Sequence, residues 1–469
     1  MLLERFEDRE LAHFSYAVAD EVAGRMAVVD PRRDVDVYLD FAAARGLAIE
    51  AVLETHVHAD YASGARELGQ RAEATVYASA HDRGEDYEVA FPHRDLADGD
   101  TVELGVVRLT ALHTPGHTPE HLSFLVHDGA RSAEVPMLLL SGDFLFVGSL
   151  GRPDLLGEAA TRRLAEALHD SVARVLTALP DGLEVHPAHG AGSLCGSGMS
   201  GRATSTLGYE RIANPYLDPA LDRDAFVARI LGTVPPFPAY YRRMKRLNAA
   251  GPPLLADRPP LPALAPRRFC GRLEAGAVAV DLRDHLAWGG GHVPGSFGLG
   301  AGGRLSVWAA WVVPYDRPIL LVADDAAEAE EAARRLARVG LDRVEGWLEG
   351  GIAAWREAGL PLLETAQRTP RQIHDHLAAG ETIHVLDVRG DEEWEAGHVQ
   401  GARHVMAGEL PERLAEVPDD GHPVALVCRS GYRSTVAASV LERAGRTDLI
   451  NVTGGMSAWE RAGLPTTRG

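Results

Sequence analysis

The sequence predicts a multidomain α/β protein, with one larger sheet-based domain followed by two small α/β domains built on parallel sheets. Three observations carry this. The chain has 469 residues, too many for one hydrophobic core and enough for roughly three units. Its second half repeats itself with a period of about 105 residues. Within each copy, short apolar runs alternate with longer amphipathic stretches, the pattern of strands joined by crossover helices.

Composition narrows the class without naming a function. Apolar residues make up 46% of the chain and charged residues 24%, as in an ordinary globular protein. A net charge of -20 and a pI near 5.4 argue against nucleic acid or an anionic membrane as partner. The opening residues Met1 to Glu10 form no apolar leader, and no run reaches the length of a spanning helix. A cytoplasmic setting is expected, with no membrane partner and with self-association into a homo-oligomer. Three scattered cysteines, Cys195, Cys270 and Cys428, are too few for a disulfide framework, so those that matter should be reduced and reactive.

The first domain is expected to span residues 1–250. Its chemistry-bearing residues each follow a short apolar run. Ala51-Val52-Leu53-Glu54 precedes His56, Val107 to Leu112 precedes the His117 loop, Met137 to Leu140 precedes Asp143, and Leu183-Glu184-Val185 precedes His189. Side chains gathered at strand ends along one sheet edge are an ordinary way to build a site. Four motifs occur in order: His56-Val57-His58-Ala59-Asp60, Thr114-Pro115-Gly116-His117-Thr118, Ser141-Gly142-Asp143 and His186-Pro187-Ala188-His189-Gly190. A lone histidine is weak evidence for a metal, but four such segments together form a donor set that metal ions bind.

These segments resemble the metallo-β-lactamase superfamily, which implies an αβ/βα sandwich over residues 1–250. Two-zinc members place a histidine directly after the aspartate of H-x-H-x-D. Here that position is Tyr61, whose neutral phenol is a poor ligand at pH 7, so no second metal is expected. Within the superfamily, Thr55 to Asp60 and Gly151-Arg152-Pro153-Asp154 resemble persulfide dioxygenases. That resemblance implies one Fe(II) per chain, held by His56, His117 and Asp143, the two-histidine, one-carboxylate arrangement of non-haem oxygenases. His58, Asp60, Tyr61 and His189 would then lie just outside the ligands, and Arg152 and Cys195 are candidates for substrate contact. Glutathione-using relatives follow the last histidine with Asp-Tyr, and this chain departs from them with Gly190-Ala191-Gly192-Ser193-Leu194-Cys195. In the alternative reading Tyr61 merely packs and one zinc serves a thioester hydrolase of the glyoxalase II kind.

Proline-dense residues 251–266 read as a semi-rigid linker. Beyond it, Asp281-Leu282-Arg283, Gly291-His292-Val293 and Gly350-Gly351-Ile352-Ala353-Ala354-Trp355 recur as Asp387-Val388-Arg389, Gly397-His398-Val399 and Gly454-Gly455-Met456-Ser457-Ala458-Trp459. The copies are expected at 267–366 and 367–469. In the second, strand-like Val424 to Val427 leads into Cys428-Arg429-Ser430-Gly431-Tyr432-Arg433-Ser434 and a helical run from Thr435 to Ala444. A cysteine placed between a strand and a helix start is a stabilised nucleophile, and Arg429 and Arg433 add charge for an anionic sulfur donor or acceptor.

This half resembles the rhodanese family. The arginine follows the cysteine after four residues, one fewer than in phosphatases of the same fold, which favours a sulfane sulfur. In the first copy Ala323 stands opposite Cys428 and is followed by Asp324-Asp325, so that copy is expected to be inactive. The combined expectation is an enzyme that oxidises a low-molecular-weight persulfide with O2 to sulfite and thiol, and moves sulfur between sulfite and thiosulfate through Cys428.

Overall fold

A computed structural model describes residues 1–255 and 258–468. Linker positions 256–257 and residue 469 lie outside the described residues. The chain divides into two compact units, one of Met1–Arg258 with Ala337–Gly340 and one of Pro259–Leu336 with Leu341–Gly469.

The first unit has four layers. One six-stranded sheet runs in chain order from Leu2–Asp8 through His13–Asp20, Arg25–Val29, Ala48–Leu53 and Thr75–Ser79 to Arg94–Leu96. The other has the order Ser205–Thr206, Glu184–Pro187, Leu138–Gly142, Leu122–Asp128, Val107–His113, Thr101–Leu104. Period-two alternation divides each strand between two cores. In the second strand Tyr16 and Val18 point between the sheets, where they meet Leu109, Phe124, Leu138 and Leu140. Ala17 and Ala19 point outward with Met26 and Val28, under Tyr38 and Leu68 from the helices Asp36–Arg45 and Ala65–Ala72. Leu139 likewise turns away from its neighbours and packs with Leu168, Phe226 and Ile230 of the helices Glu158–Ser171 and Arg223–Leu231. This is the expected αβ/βα sandwich.

The proline-dense stretch does not stand off as a spacer. Arg66 donates to the Gly251 and Pro252 carbonyls at 3.0 and 3.3 Å, Arg33 donates to Pro253 O, and Glu67 accepts from Leu255 N–H at 2.8 Å. A proline-rich backbone has few donors of its own, so its carbonyls take arginine. The later part is structural too. Ala263–Leu264 pairs parallel with Trp347 and Leu348 in a sheet of the second unit, and Pro266 opens the helix Pro266–Glu274 at a position where proline costs nothing.

The second unit contains two five-stranded, all-parallel sheets of identical order. One is Ala263–Leu264, Val344–Leu348, Ile319–Val322, Val278–Asp281, Phe297–Gly298. The other is Ala366–Arg368, Leu449–Val452, Val424–Val427, His384–Asp387, Arg403–His404. The repeated motifs have repeated jobs. Arg283 forms a forked pair with Asp281 and donates to Gly291 O at 2.9 Å, and Arg389 does the same with Asp387 and Gly397 O at 2.7 Å. Trp355 and Trp459 sit in the two cores and donate to Pro361 O and Pro465 O at 2.8 and 2.9 Å. Each repeated Asp-x-Arg thus ties a central strand to the Gly-His-Val turn. The helix after Cys428 starts at Tyr432 rather than Thr435 and runs to Arg443.

Asp387→Ala would leave the buried Arg389 guanidinium without its counter-charge. It is expected to destabilise the C-terminal unit by about 3 kcal/mol, read as a lowered urea midpoint for tryptophan fluorescence with an unchanged m-value.

Candidate metal centre and sulfur loop

The ends of strands from both sheets of the first unit bring the sequence-predicted histidines together. His56, His58 and Asp60 follow Ala48–Leu53, His117 follows Val107–His113, Asp143 follows Leu138–Gly142, and His189 follows Glu184–Pro187. All six are buried.

Three atoms form the centre. His56 Nε2 and His117 Nε2 lie 3.9 and 3.4 Å from Asp143 Oδ2, and none of the three atoms has a hydrogen-bond partner. Burial, reinforced by His58 and His117 around His56 and by His121 around His117, holds both imidazoles well below the ordinary histidine range and so neutral. The hydrogen-bond chain fixes the face that His56 presents. Thr55 Oγ1 donates to Asp30 Oδ2 at 2.9 Å, so it accepts from His56 Nδ1 at 2.9 Å, and Nε2 is left as a lone pair. A buried lone pair facing a carboxylate oxygen is unfavourable unless a cation lies between them. The donor set therefore fits a divalent metal.

Asp143 is oriented from both sides. Its Oδ1 accepts from His189 Nδ1 at 2.7 Å, and its N–H donates to His121 Nε2 at 2.9 Å. His121 Nδ1 in turn meets Thr114 Oγ1 at 2.8 Å, and Thr114 meets Ser123 Oγ at 2.9 Å. Gly142 lets this network close: its φ is +55°, and a Cβ there would stand 2.6 Å from His121 Nε2.

The surrounding residues are held away from the metal position. His58 Nε2 lies 3.2 Å from both Asp30 Oδ1 and Glu54 Oε2. Burial alone would lower its pKa, but these carboxylates lift it to about 10. Tyr61 donates to Asp30 O at 3.2 Å, and burial with Glu54 and Asp30 pushes its phenol well above its ordinary range. It stays protonated. Asp60 Oδ2 is 2.8 Å from His189 Nε2, and against the opposing effect of burial the two raise the histidine and lower the carboxyl.

Cys195 reaches the same corner, its sulfur grouped with Asp60 and His189 within 4.8 Å. Burial and the Asp60 and Asp143 charges push its thiol well up. Arg152, a candidate for substrate contact, is buried. Its N–H groups are spent on Asp154 at 2.7 and 2.8 Å and on the carbonyls of Leu194, Pro235 and Pro236. It pins the Cys195 loop.

Sequence reading missed the clamp behind the site. Val57, between the two histidines, donates its N–H to Glu120 at 3.0 Å and accepts from Lys245 Nζ at 2.9 Å. Asn248 donates to His58 O and Tyr61 O at 2.8 and 2.7 Å. Lys245 is the only lysine of the chain and is buried. It and Asn248 lie on the helix Tyr240–Ala250, almost two hundred residues from the loop they hold, and no local pattern announces them. His13 was missed as well: it is buried beside Tyr61 at 4.1 Å between ring centroids.

In the second unit Cys428 follows the central strand, its sulfur accepting from Gly431 N–H at 3.1 Å and lying 3.4 Å from Ser434 Oγ. Ser434 gives its proton to Asn451 Oδ1 at 2.6 Å. Arg433, expected to hold an anion, forks onto Glu393 at 2.5 and 2.8 Å, because a half-buried guanidinium takes the nearest carboxylate. Arg429 is exposed at the loop mouth. Ala323 occupies the equivalent strand end in the first copy, buried.

Known proteins place both halves. The metallo-beta-lactamase superfamily description matches residues 9–189, and the rhodanese-like domain description matches 266–358 and 369–462. An uncharacterized protein of Aquifex aeolicus is 30% identical over 213 residues, 42% of this chain and 89% of its own length. A protein named hydroxyacylglutathione hydrolase from Anaeromyxobacter dehalogenans is 33% identical over 236 residues, 45% of this chain and 85% of its own length. The crystal structure titled metallo-beta-lactamase from Staphylococcus aureus is 32% identical with a TM-score of 0.66, covering 74% of this chain and 98% of its own. Among the described residues no helix is long and apolar enough to cross a membrane.

Lys245→Met removes the buried donor to Val57 O while keeping the side chain's length. It is expected to weaken metal retention by about 10- to 100-fold, as loss of an outer contact does elsewhere. The check is metal content against a competing chelator, with the unfolding transition followed in parallel.

Proposed function

Because this chain belongs to the metallo-β-lactamase superfamily and carries two rhodanese-like domains behind that fold, we propose that it is a persulfide dioxygenase coupled to sulfur transfer. The observation that carries this reading is the three-atom set of His56 Nε2, His117 Nε2 and Asp143 Oδ2, buried without hydrogen-bond partners beside a protonated, hydrogen-bonded Tyr61. Two imidazoles and one carboxylate suit Fe(II) with open positions, and the neighbouring residue offers no ligand for a second ion. Bound there, Fe(II) would supply the one-electron chemistry that lets O2 react with a thiol persulfide.

The protein's own residues supply orientation. His189 fixes Asp143 through Nδ1 and is itself fixed by Asp60, so the carboxylate presents one oxygen to the centre and keeps the other occupied. Thr55 turns the lone pair of His56 inward. His58, tied to Asp30 and Glu54, holds the loop between His56 and Asp60 in place. The overall balance is R-SSH + O2 + H2O giving R-SH and sulfurous acid, which ionises to sulfite.

Cys428 would take the outer sulfur of a donor as a cysteine persulfide and pass it on, with sulfite and thiosulfate as the interconverted pair. Gly431 N–H stands ready to stabilise the sulfur as a thiolate. The first copy, with Ala323 at that place, has no sulfur to carry and is inactive in this reading.

A zinc-dependent thioester hydrolase is the second reading, favoured by the 33% identical relative that bears the hydroxyacylglutathione hydrolase name. The two readings part on oxygen. Iron-analysed protein is expected to consume O2 in proportion to its iron when glutathione persulfide or coenzyme A persulfide is added, with sulfite formed. Absence of uptake by iron-loaded protein, together with thioester cleavage by the zinc form, would replace the dioxygenase with the hydrolase.

His117→Ala is expected to cut O2 uptake by about 100-fold or more, beyond what loss of an outer contact costs, while sparing thiosulfate sulfurtransferase activity. Cys428→Ala should do the reverse. Loss of both activities in either folded variant would sink the two-site reading.

A further inference from the structure

The first rhodanese-like copy has Ala323 where the second has Cys428, yet it does not stand idle beside the second. Its short helix His285–Gly289 rests on the Cys428 loop. Gly431 has φ +111°, and a Cβ built there would lie 3.3 Å from His285 Nε2. The same glycine's N–H is 3.1 Å from Cys428 Sγ. The imidazole edge of one copy and the nucleophilic sulfur of the other therefore flank a single residue.

The contact is held in place. Tyr432, next in the loop, donates to Leu299 O at 2.6 Å. Glu442, on the helix that follows, meets His292 Nε2 at 2.8 Å and accepts from Gly295 N–H at 3.0 Å. His285 Nδ1 lies 3.1 Å from Asp284 Oδ2, which directs that nitrogen's proton to the acid and leaves Nε2 facing the loop.

Charge at the loop also calls for such a group. Thiosulfate and sulfite are dianions, and Arg433, the loop's own inward cation, is committed to Glu393. We propose that His285 of the first copy forms the anion-holding wall of the Cys428 site: as an imidazolium, with one proton directed to Asp284 and the other on Nε2, it donates from Nε2 to the oxyanion end of thiosulfate or sulfite. Arg429 at the exposed mouth attracts the anion, and His285 seats it. This rests on the sulfur-transfer reading of Cys428. In the step so served, the Cys428 thiolate attacks the outer sulfur of thiosulfate. A Cys428 S–S bond forms, the S–S bond of thiosulfate breaks, and sulfite leaves with the electron pair, total charge being conserved. Run backwards, sulfite takes the sulfur from the cysteine persulfide.

The test compares alkylation of Cys428 by iodoacetate, an anion, with alkylation by neutral iodoacetamide in the full-length protein, resolved at the Cys428 peptide by mass spectrometry. In His285→Ala the iodoacetate-to-iodoacetamide rate ratio is expected to fall about fivefold, the size of one partly screened charge contact. KM for thiosulfate should rise by a similar factor with kcat nearly unchanged, and His285→Arg should restore both. A ratio unchanged in the alanine variant, or a fall that arginine does not reverse, overturns the proposal. Should alanine also slow iodoacetamide by disturbing the loop, the ratio in His285→Gln decides in the same way. If the wild-type protein shifts no sulfur while its ratio still depends on His285, the sulfur-transfer reading fails and the anion wall stands.

Discussion

Asp143 is the carboxylate on which the first unit depends. One oxygen is committed to His189 and the other is turned toward two neutral imidazoles. Its backbone N–H anchors His121, and through it a chain of hydroxyls that runs back into the sheet. A carboxylate so placed is held from two sides, by His189 at Oδ1 and by His121 at its backbone N–H. The strands of the two sheets must therefore end in register, and Gly142 must leave room for His121. Sandwich packing supplies that register, because alternate residues such as Leu138 and Leu140 lock one sheet against the other while Leu139 serves the outer helices.

Protons are distributed unevenly around this centre. Around the three unpartnered atoms, three neighbours with ligand chemistry are paired or protonated, while the buried His13 imidazole has no hydrogen-bond partner. His58 is tied to two carboxylates, Tyr61 keeps its proton and gives it to a backbone oxygen, and Asp60 faces His189. The loop that carries them is gripped from the far side by Lys245 and Asn248. Burial explains both states, since it neutralises an imidazole with no partner and is overcome only where a carboxylate stands within hydrogen-bond distance.

The second unit shows one scaffold put to two uses. The paired Asp and Arg, the glycine turn and the core tryptophan recur with nearly the same distances, because they maintain the sheet and its turn whatever the central strand ends in. What differs is that end, Ala323 in one copy and Cys428 in the other. The helix His285–Gly289 of the first copy lies against the Cys428 loop of the second.

The sequence alone determined the α/β class, the tandem repeat and the residues that gather at the metal position, because each is written in short-range pattern: apolar alternation, recurring motifs, and histidines placed just past strand-like runs. That Tyr61 carries a phenol where a histidine was possible was legible for the same reason, being a property of the side chain itself. Tertiary structure decided what distance along the chain conceals. Lys245 and Asn248 reach the histidine loop from almost two hundred residues away, Asp30 and Glu54 capture His58, and Glu393 takes Arg433 from the sulfur loop. Arg152 shows the limit most plainly. Its segment was readable, but only the fold reveals that the Pro235 and Pro236 carbonyls and Asp154 use up its donors, since a motif specifies which group is present and packing specifies what that group has left to give.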